Sequence, residues 1–357
     1  MGLRIFYLVR GEIQTAREIG EQFLQPAQNT SDPAFLLEAH YALGVPLTLL
    51  GEFASARAHL EQNAALYDPQ HHHAHAFLYG LDPGVTSLTF APLALWALGY
   101  PDQALQRGCE GLALARQFSH PHSLAFALTF AAFLHQLRRE EQLTQERAEA
   151  TIALSREQGF ALWLAVGTIL QGCTLAEQGQ GEEGIALLRQ GIAAWRATGA
   201  EGYLTHYLGL LAEAYGKVGQ ADEGLTVLAE ALAMVDKTGE RWREAELYRL
   251  KGQLTLQRFQ APGSKFQVEN PHSTFRIPQL GAEAEAEACF RKAIEIARKQ
   301  QAKSLELRAT MSLAHLWQHQ GKKVEARQLL AEIYDWFTEG FDTKDLQEAK
   351  ALLEVLA

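Results

Sequence analysis

A short turn, in which a glycine is followed five residues later by alanine or glycine, returns along almost the whole chain at a spacing of about forty residues. It reads VRGEIQTA (Gly11 to Ala16), LLGEFASA (Gly51 to Ala56), ALGYPDQA (Gly99 to Ala104), EQGQGEEG (Gly179 to Gly184), KVGQADEG (Gly219 to Gly224), QLGAEAEA (Gly281 to Ala286) and HQGKKVEA (Gly321 to Ala326). One further copy, QLRREEQL, has no glycine and places Arg138 and Leu143 at the two register positions. A fixed period of this size marks a solenoid of stacked units, none of which can bury its own apolar face alone. Each unit touches only its neighbours, so the core grows linearly with length and 357 residues fit one elongated domain.

The turns separate apolar segments of roughly 3.6-residue period, for example residues 36–50 before Gly51 and 53–67 after it. Helix, glycine turn, helix is therefore the unit, and the class is all-α. Glycine suits the left-handed residue that ends a helix, and the small residue five positions later lets the second helix approach the first. Prolines at Pro33, Pro69 and Pro121 punctuate the connections between units. The expected array is a right-handed α-solenoid of about eight hairpins, with a truncated first repeat at 1–30, repeats at 31–257 and 281–340, and a C-terminal capping helix at 343–356. Residues 258–280 exceed the repeat. Pro262, Gly263, Pro271 and Pro278 argue for an inserted surface loop there. Phe259, Phe266, Phe275 and Ile277 make that loop unusually apolar, as a partner-binding or lid segment would be.

A net charge of −10 disfavours general affinity for nucleic-acid phosphates. The basic stretch holding Arg291, Lys292, Arg298, Lys299, Lys303 and Arg308 reads as a solvated helix face. Cys109, Cys173 and Cys289 have neither disulfide nor zinc spacing. No run of eighteen apolar residues and no secretory leader occur, so the expectation is a cytoplasmic chain with no membrane partner.

The repeat pattern resembles tetratricopeptide repeats, in Leu43, Gly44, Leu47, Gly51, Ala56 and Leu60, in Ala212, Tyr215, Gly219, Gly224, Leu228 and Ala231, and in Ala314, Trp317, Gly321, Ala326 and Leu330. The units are longer than the usual ~34 residues. Whole phrases, among them LLEAHYALGVPL, LAEQGQGEEGIALLRQGIAAWRATGA, LLAEAYGKVGQADEGL and FRKAIEIARKQQAKSLELRATMSLAHLWQ, resemble the C-terminal repeat region of bacterial regulators in which a nucleotide cyclase or other signalling domain precedes a STAND-type ATPase. The resemblance implies a regulatory, partner-binding role for a protein or peptide, without chemistry or cofactor. The cyclase and ATPase portions are absent from the sequence, and Gly11 leaves little room for a first helix. The chain thus reads as a fragment, a degenerate product or a separately encoded arm of such a system.

Motifs that could carry chemistry are weak. Gly179 to Gly184 matches the dinucleotide fingerprint G-x-G-x-x-G, but a helix precedes it, the same register is a repeat turn elsewhere, and two acids sit where phosphate would approach. His71, His72, His73 and His75 form a cluster in which His71 and His75 could share a helix face and hold a metal, although a hydrated loop is the simpler reading. Glu140 with Glu141, Glu182 with Glu183, and Asp222 with Glu223 read as solvated turn acids rather than a catalytic pair. Trp96, Trp163, Trp195 and Trp317 fall at apolar-periodic positions and are expected in the core. No P-loop, zincin or nucleophile-elbow motif occurs.

First helices of tetratricopeptide arrays line a concave groove. By register from each turn, the resemblance assigns that groove Tyr41, Trp96, His135, His206, Glu213, Lys217, Arg249, Gln253, Arg308 and His315. Cationic members gather toward the C-terminal end, where Arg249 and Arg308 could hold a peptide's acidic groups or terminal carboxylate. The alternative is a small-molecule sensor, favoured if Trp96, His135 or His206 lines a pocket.

Overall fold

The computed structural model describes residues 2–30, 33–260 and 276–357, and these are helical with short connections. Eight hairpins follow one another. They are α1 (Gly2–Val9) with α2 (Ile13–Gln28), and α3 (Pro33–Leu49) with α4 (Phe53–Leu66). Two single-turn pieces, α5 (Pro69–His72) and α6 (His75–Tyr79), lead into α7 (Pro83–Ala97) and α8 (Pro101–Gln117). Next come α9 (Pro121–Leu137) with α10 (Glu141–Gln158), α11 (Ala161–Glu177) with α12 (Gly181–Ala197), and α13 (Leu204–Lys217) with α14 (Ala221–Thr238). Finally α15 (Glu244–Gln260) pairs with α16 (Arg276–Lys299), α17 (Lys303–His319) with α18 (Lys323–Tyr334), and α19 (Lys344–Val355) ends the chain.

Most hairpin turns form as the spacing predicts. Gly51 adopts φ +79° and Gly219 φ +78°, the left-handed conformation that closes a helix. In the copy without glycine the turn falls one residue later than the expected Arg138 register: Arg138 stays right-handed and Arg139 takes the left-handed conformation, at φ 62°. Gly281 lies inside α16 rather than at a turn. Residues 261–275, between α15 and α16, lie outside the described residues. Of the expected 258–280 loop, residues 258–260 and 276–280 are helical. Pro278 is accommodated because it falls in the first turn of α16, where no intrahelical donor is lost. Phe266 and Phe275 lie outside the described residues.

Four of the hairpins bury a leucine between their helices: Leu60, Leu188, Leu228 and Leu330 are fully enclosed, each contributing about 2 kcal/mol of apolar burial. The closest approach joins α11 and α12, where a Cβ on Gly172 would stand 2.7 Å from the Gly184 carbonyl oxygen.

The superhelix is tightly wound, and successive turns touch along a repeating seam in which hairpin n meets hairpin n + 5. Carbonyls at the ends of the inner helices, where intrahelical donors run out, accept from the next turn; that of Trp96 also accepts from the Gly99 amide at 3.0 Å. The Val9 oxygen accepts from the Glu201 and Gly202 amides at 2.8 and 3.1 Å. Leu49 accepts in the same way from Arg241 and Trp242 at 2.8 and 3.1 Å. The Trp96 oxygen accepts from the Ser304 hydroxyl at 2.5 Å, and, between hairpins four apart rather than five, the Leu137 oxygen accepts from Arg308 Nη2 at 2.5 Å. Further along, the Glu339 carboxylate caps α8 by accepting from the amides of Asp102 and Gln103 at 2.9 and 3.0 Å.

Winding this tight fills most of the axis. In α7, 14 of 15 residues are buried, against 6 of 17 in its outer partner α8. The axis carries a ladder of rings, with Phe90 on Phe130 at 4.5 Å, Phe130 on Phe133 at 5.2 Å, Phe133 on His206 at 5.2 Å and His206 on Trp242 at 5.0 Å. Trp96, Trp163, Trp195 and Trp317 are all buried.

Candidate functional site

Where the ring ladder stops, the axis stays open. A cavity of about 290 Å³ lies between α11, α13, α15 and α17, closed on one side by the α9–α10 turn and α19. Five of the eight hairpins reach it, which is one superhelical turn.

Six residues assigned to the groove from the sequence line it: Glu213, Lys217, Arg249, Gln253, Arg308 and His315. The other four do not. Tyr41, Trp96, His135 and His206 are buried in the core, because the seam draws the inner helices together and their register positions face side chains of the next turn. Three of these still support the site. Trp96 lies under the guanidinium of Arg308, 5.0 Å from the ring centre, and Arg243 flanks the same ring at 5.8 Å. The His135 ring meets Glu140 at 2.5 Å. His206 borders a separate void of about 10 Å³ whose wall also includes Glu213, Arg243 and Glu246.

The cations expected to stand free are mostly neutralised. Arg249 holds Glu246 bidentately at 2.9 and 2.7 Å. Arg308 Nε donates to Asp345 at 2.7 Å, and Arg139 donates to Asp345 at 3.1 Å and to Glu348 at 2.6 Å. Lys217 pairs with Glu177 and stands 3.9 Å from Glu213. Burial alone would raise the Glu246 carboxyl, but Arg249, Arg243 and Arg308 overcome it and hold the group far below the usual carboxylate range. Arg243 is different. Its Nη2 approaches Glu246 only to 3.9 Å, and its buried Nη1 has no hydrogen-bond partner. Burial, reinforced by Arg308 and opposed by Glu246, pulls its pKa down to about 10.

Arg243, Glu246, Arg139 and Asp345 were missed by register. Arg243 precedes α15 and reaches the cavity from the connection, Arg139 occupies a glycine's place, and Asp345 comes from the capping helix. Glu140, expected as a solvated turn acid, is half-buried and takes Arg138 Nε at 2.7 Å.

The other candidates resolve into packing. Gly179 to Gly184 joins two helices, α11 and α12. The histidine cluster is not a hydrated loop. His72 is buried and accepts from the Asp68 amide at 2.9 Å, His73 stacks on Phe118 at 3.7 Å, and His75 meets Glu38 at 2.6 Å. Among the described residues, no group of three or more His, Cys, Asp or Glu is placed to hold a metal ion. In the basic stretch, Arg291 pairs with Glu287 and Lys292 with Glu295, as on a solvated helix face, whereas Arg308 belongs to the cavity. No described helix is long and apolar enough to cross a membrane.

No family model matches the sequence, and no curated protein is similar to it. Solved structures are similar in fold. A Rap protein complexed with competence and sporulation factor superposes with a TM-score of 0.60 at 9% identity, over 99% of this chain and 95% of that one. Aspartyl phosphate phosphatase F from Bacillus subtilis gives 0.51 at 10% identity, over 94% and 92%. A signal-transduction STAND ATPase with a tetratricopeptide sensor from Pyrococcus horikoshii gives 0.46 at 12% identity, over 94% of this chain and 46% of that one. At such identities the likeness concerns architecture, and the chain is an all-α solenoid of tetratricopeptide type.

Proposed function

We propose that the chain is a non-enzymatic binding and regulatory arm that takes up a segment of a partner protein in the cavity between α11, α13, α15 and α17. The observation that carries this reading is the cavity itself. It is lined by charged and amide side chains on a solenoid whose remaining axis is packed with rings. A polar, partly paired lining suits reversible capture of a polar chain end, and inner solenoid faces are the usual binding surface of such arrays. The Rap protein of similar fold is itself complexed with a factor. By the sequence resemblance, the partner belongs to a bacterial signalling ATPase or nucleotide cyclase system, and the site of action is the cytoplasm. Regulation would follow if occupancy alters the seam, since Arg139, Arg308 and Asp345 belong to both seam and cavity.

The second reading is a small-molecule sensor. It is favoured by the cavity's size, about 290 Å³, which lies at the lower edge of small-ligand sites of roughly 300–1,000 Å³.

A capture experiment from native lysate separates the two. Gln253 is exposed at the cavity wall, so Gln253→Trp obstructs the cavity without touching the core. A protein retained by the wild type and lost from Gln253→Trp supports the first reading. Equal retention by both chains refutes cavity binding. A bound metabolite found by native mass spectrometry, with no protein captured, transfers the function to the sensor.

A further inference from the structure

One interval of the repeat is too long. Gly51 and Gly99 stand 48 residues apart, where Gly11 and Gly51, and Gly179 and Gly219, stand 40 apart. The excess falls at α5 and α6, and α6 carries an exposed apolar tip: Phe77, Leu78 and Tyr79 are 69%, 71% and 37% exposed. Among the described residues this is the one run of consecutive large apolar side chains left in solvent. Single exposed apolar residues are ordinary, whereas a contiguous set marks an interaction surface. The base of the tip is fixed from three elements. His75 meets Glu38 of α3 at 2.6 Å, His73 stacks on Phe118 at the end of α8 at 3.7 Å, and His122 Nδ1 of α9 donates to the Gly80 carbonyl at 2.7 Å. Side chains held out on such anchors lose little freedom when they bind.

The same chain carries a recess that fits the tip. A groove of about 200 Å³ opens where α4, α7 and α8 meet, between Leu60, Ala64 and Ala65 on α4 and Leu88 and Ala91 on α7. Its two charged lining residues are matched on their own helices, Glu61 by Arg57 at 2.8 Å and Arg107 by Glu110 at 2.7 Å, so the groove suits an apolar occupant. Roughly 150 Å³ of apolar cavity holds a benzene ring, and the groove therefore admits one phenylalanine or leucine side chain. Ala64 and Ala65 lie in the last turn of α4 and Leu88 in the second turn of α7, so the groove sits at the end where α5 and α6 connect these helices.

We propose that α6 and this groove form a self-complementary docking surface for a second copy of the chain, each copy seating Phe77 and Leu78 in the groove of the other about a two-fold axis. Within one chain the tip is exposed and the groove open, so neither satisfies the other. Two neighbouring patches that match in size and polarity close a pair under two-fold symmetry, with no tip or groove left free. The few side chains involved bury less than the roughly 1,200 Å² of a stable interface, so the pair is weak and concentration-dependent. The net charge of −10 disfavours an anionic lipid surface as occupant, and at about 0.15 M salt repulsion between copies is screened beyond about 8 Å. The surface shares no residue with the axial cavity and does not depend on what that cavity binds.

The test is sedimentation velocity of the whole chain from about 5 µM to about 1 mM, the range of weak complexes. The mass of the wild type should rise to that of two chains and stop there. Phe77→Ser with Leu78→Ser removes the tip, and Ala65→Trp obstructs the groove from an exposed position; each should weaken association about tenfold or more. Leu3→Ser with Phe6→Ser, at exposed apolar positions of α1, should leave it unchanged. A wild type that stays monomeric throughout overturns the proposal, as does a mass that climbs past two chains, an association lost in the α1 variant, or one undiminished by Ala65→Trp. A monomer that instead cosediments with phosphatidylcholine vesicles through Phe77 assigns the tip to a lipid surface and overturns it too.

Discussion

Three buried residues show how context decides what a charge does. Arg4 fills core volume with an unpaired guanidinium. Because replacing a buried, poorly compensated charge with an apolar side chain of similar size often stabilises, Arg4→Met should gain about 1–3 kcal/mol in urea unfolding. A loss of stability would mean that its stack on Tyr41 outweighs desolvation. Arg243 has the same chemistry but lines a cavity. Glu240 is the acidic counterpart. It is completely buried and accepts from the Tyr203 amide at 2.7 Å, from the Trp242 indole at 2.9 Å and from the Thr205 hydroxyl. Burial raises its pKa to about 7 despite these donors. A carboxyl raised on folding binds its proton more tightly in the native state, so stability falls as pH rises from the unfolded value near 4.5 to about 7 and levels off above. Unfolding free energies at pH 5 and 7.5 should therefore differ more for the wild type than for Glu240→Gln, by up to about 3 kcal/mol. Equal differences would place Glu240 outside the pH response. None of these three environments is legible from sequence, because each is assembled by helices far apart in the chain.

Helices and hairpins are the level that the sequence reports well. Apolar periodicity, glycine turns and proline starts anticipate α3 with α4, α7 with α8, and α17 with α18, because these signals are local. Two elements escape. In α16 the glycine of the repeat phrase is helical instead of forming a turn. The short α5 and α6 rise from a histidine-rich stretch with no apolar period, and their partners Asp82, Glu38 and Phe118 come from elsewhere. At Arg139 the missing glycine has a structural counterpart. A left-handed arginine costs about 1 kcal/mol, which its half-exposed ion pairs with Asp345 and Glu348 offset by a similar amount. Arg139→Gly should then leave global stability within about 0.5 kcal/mol of wild type while amide exchange in α19 accelerates. Unchanged exchange there would show that α19 is held by apolar packing alone. Glu339→Ala removes a cap supplied to α8 from the other side of the seam and should cost about 1 kcal/mol in urea.

At the scale of the molecule, the seam changes how the solenoid behaves. Nearest-neighbour arrays unfold in stages when their cooperativity breaks down. Contacts between hairpin n and hairpin n + 5 couple distant units, so circular dichroism and tryptophan fluorescence should report one coincident urea transition. Combining Arg139→Ala, Arg308→Leu and Glu339→Ala should split it in two and raise the radius of gyration above the ~20 Å expected of a compact fold of this length. A single transition in the triple variant would show that packing closes the superhelix without these polar links. The amino-acid sequence by itself determined the helices, their pairing and the repeat, because all three depend on residues within one period of each other. Only the tertiary structure decided the pitch, and with it everything at the axis. The pitch buries Tyr41, Trp96, His135 and His206, leaves one polar cavity beside the ring ladder, and brings Arg243 to its wall. Pitch is the sum of small rotations at every hairpin interface, set by side-chain packing across helices and closed by backbone carbonyls that carry no sequence signature.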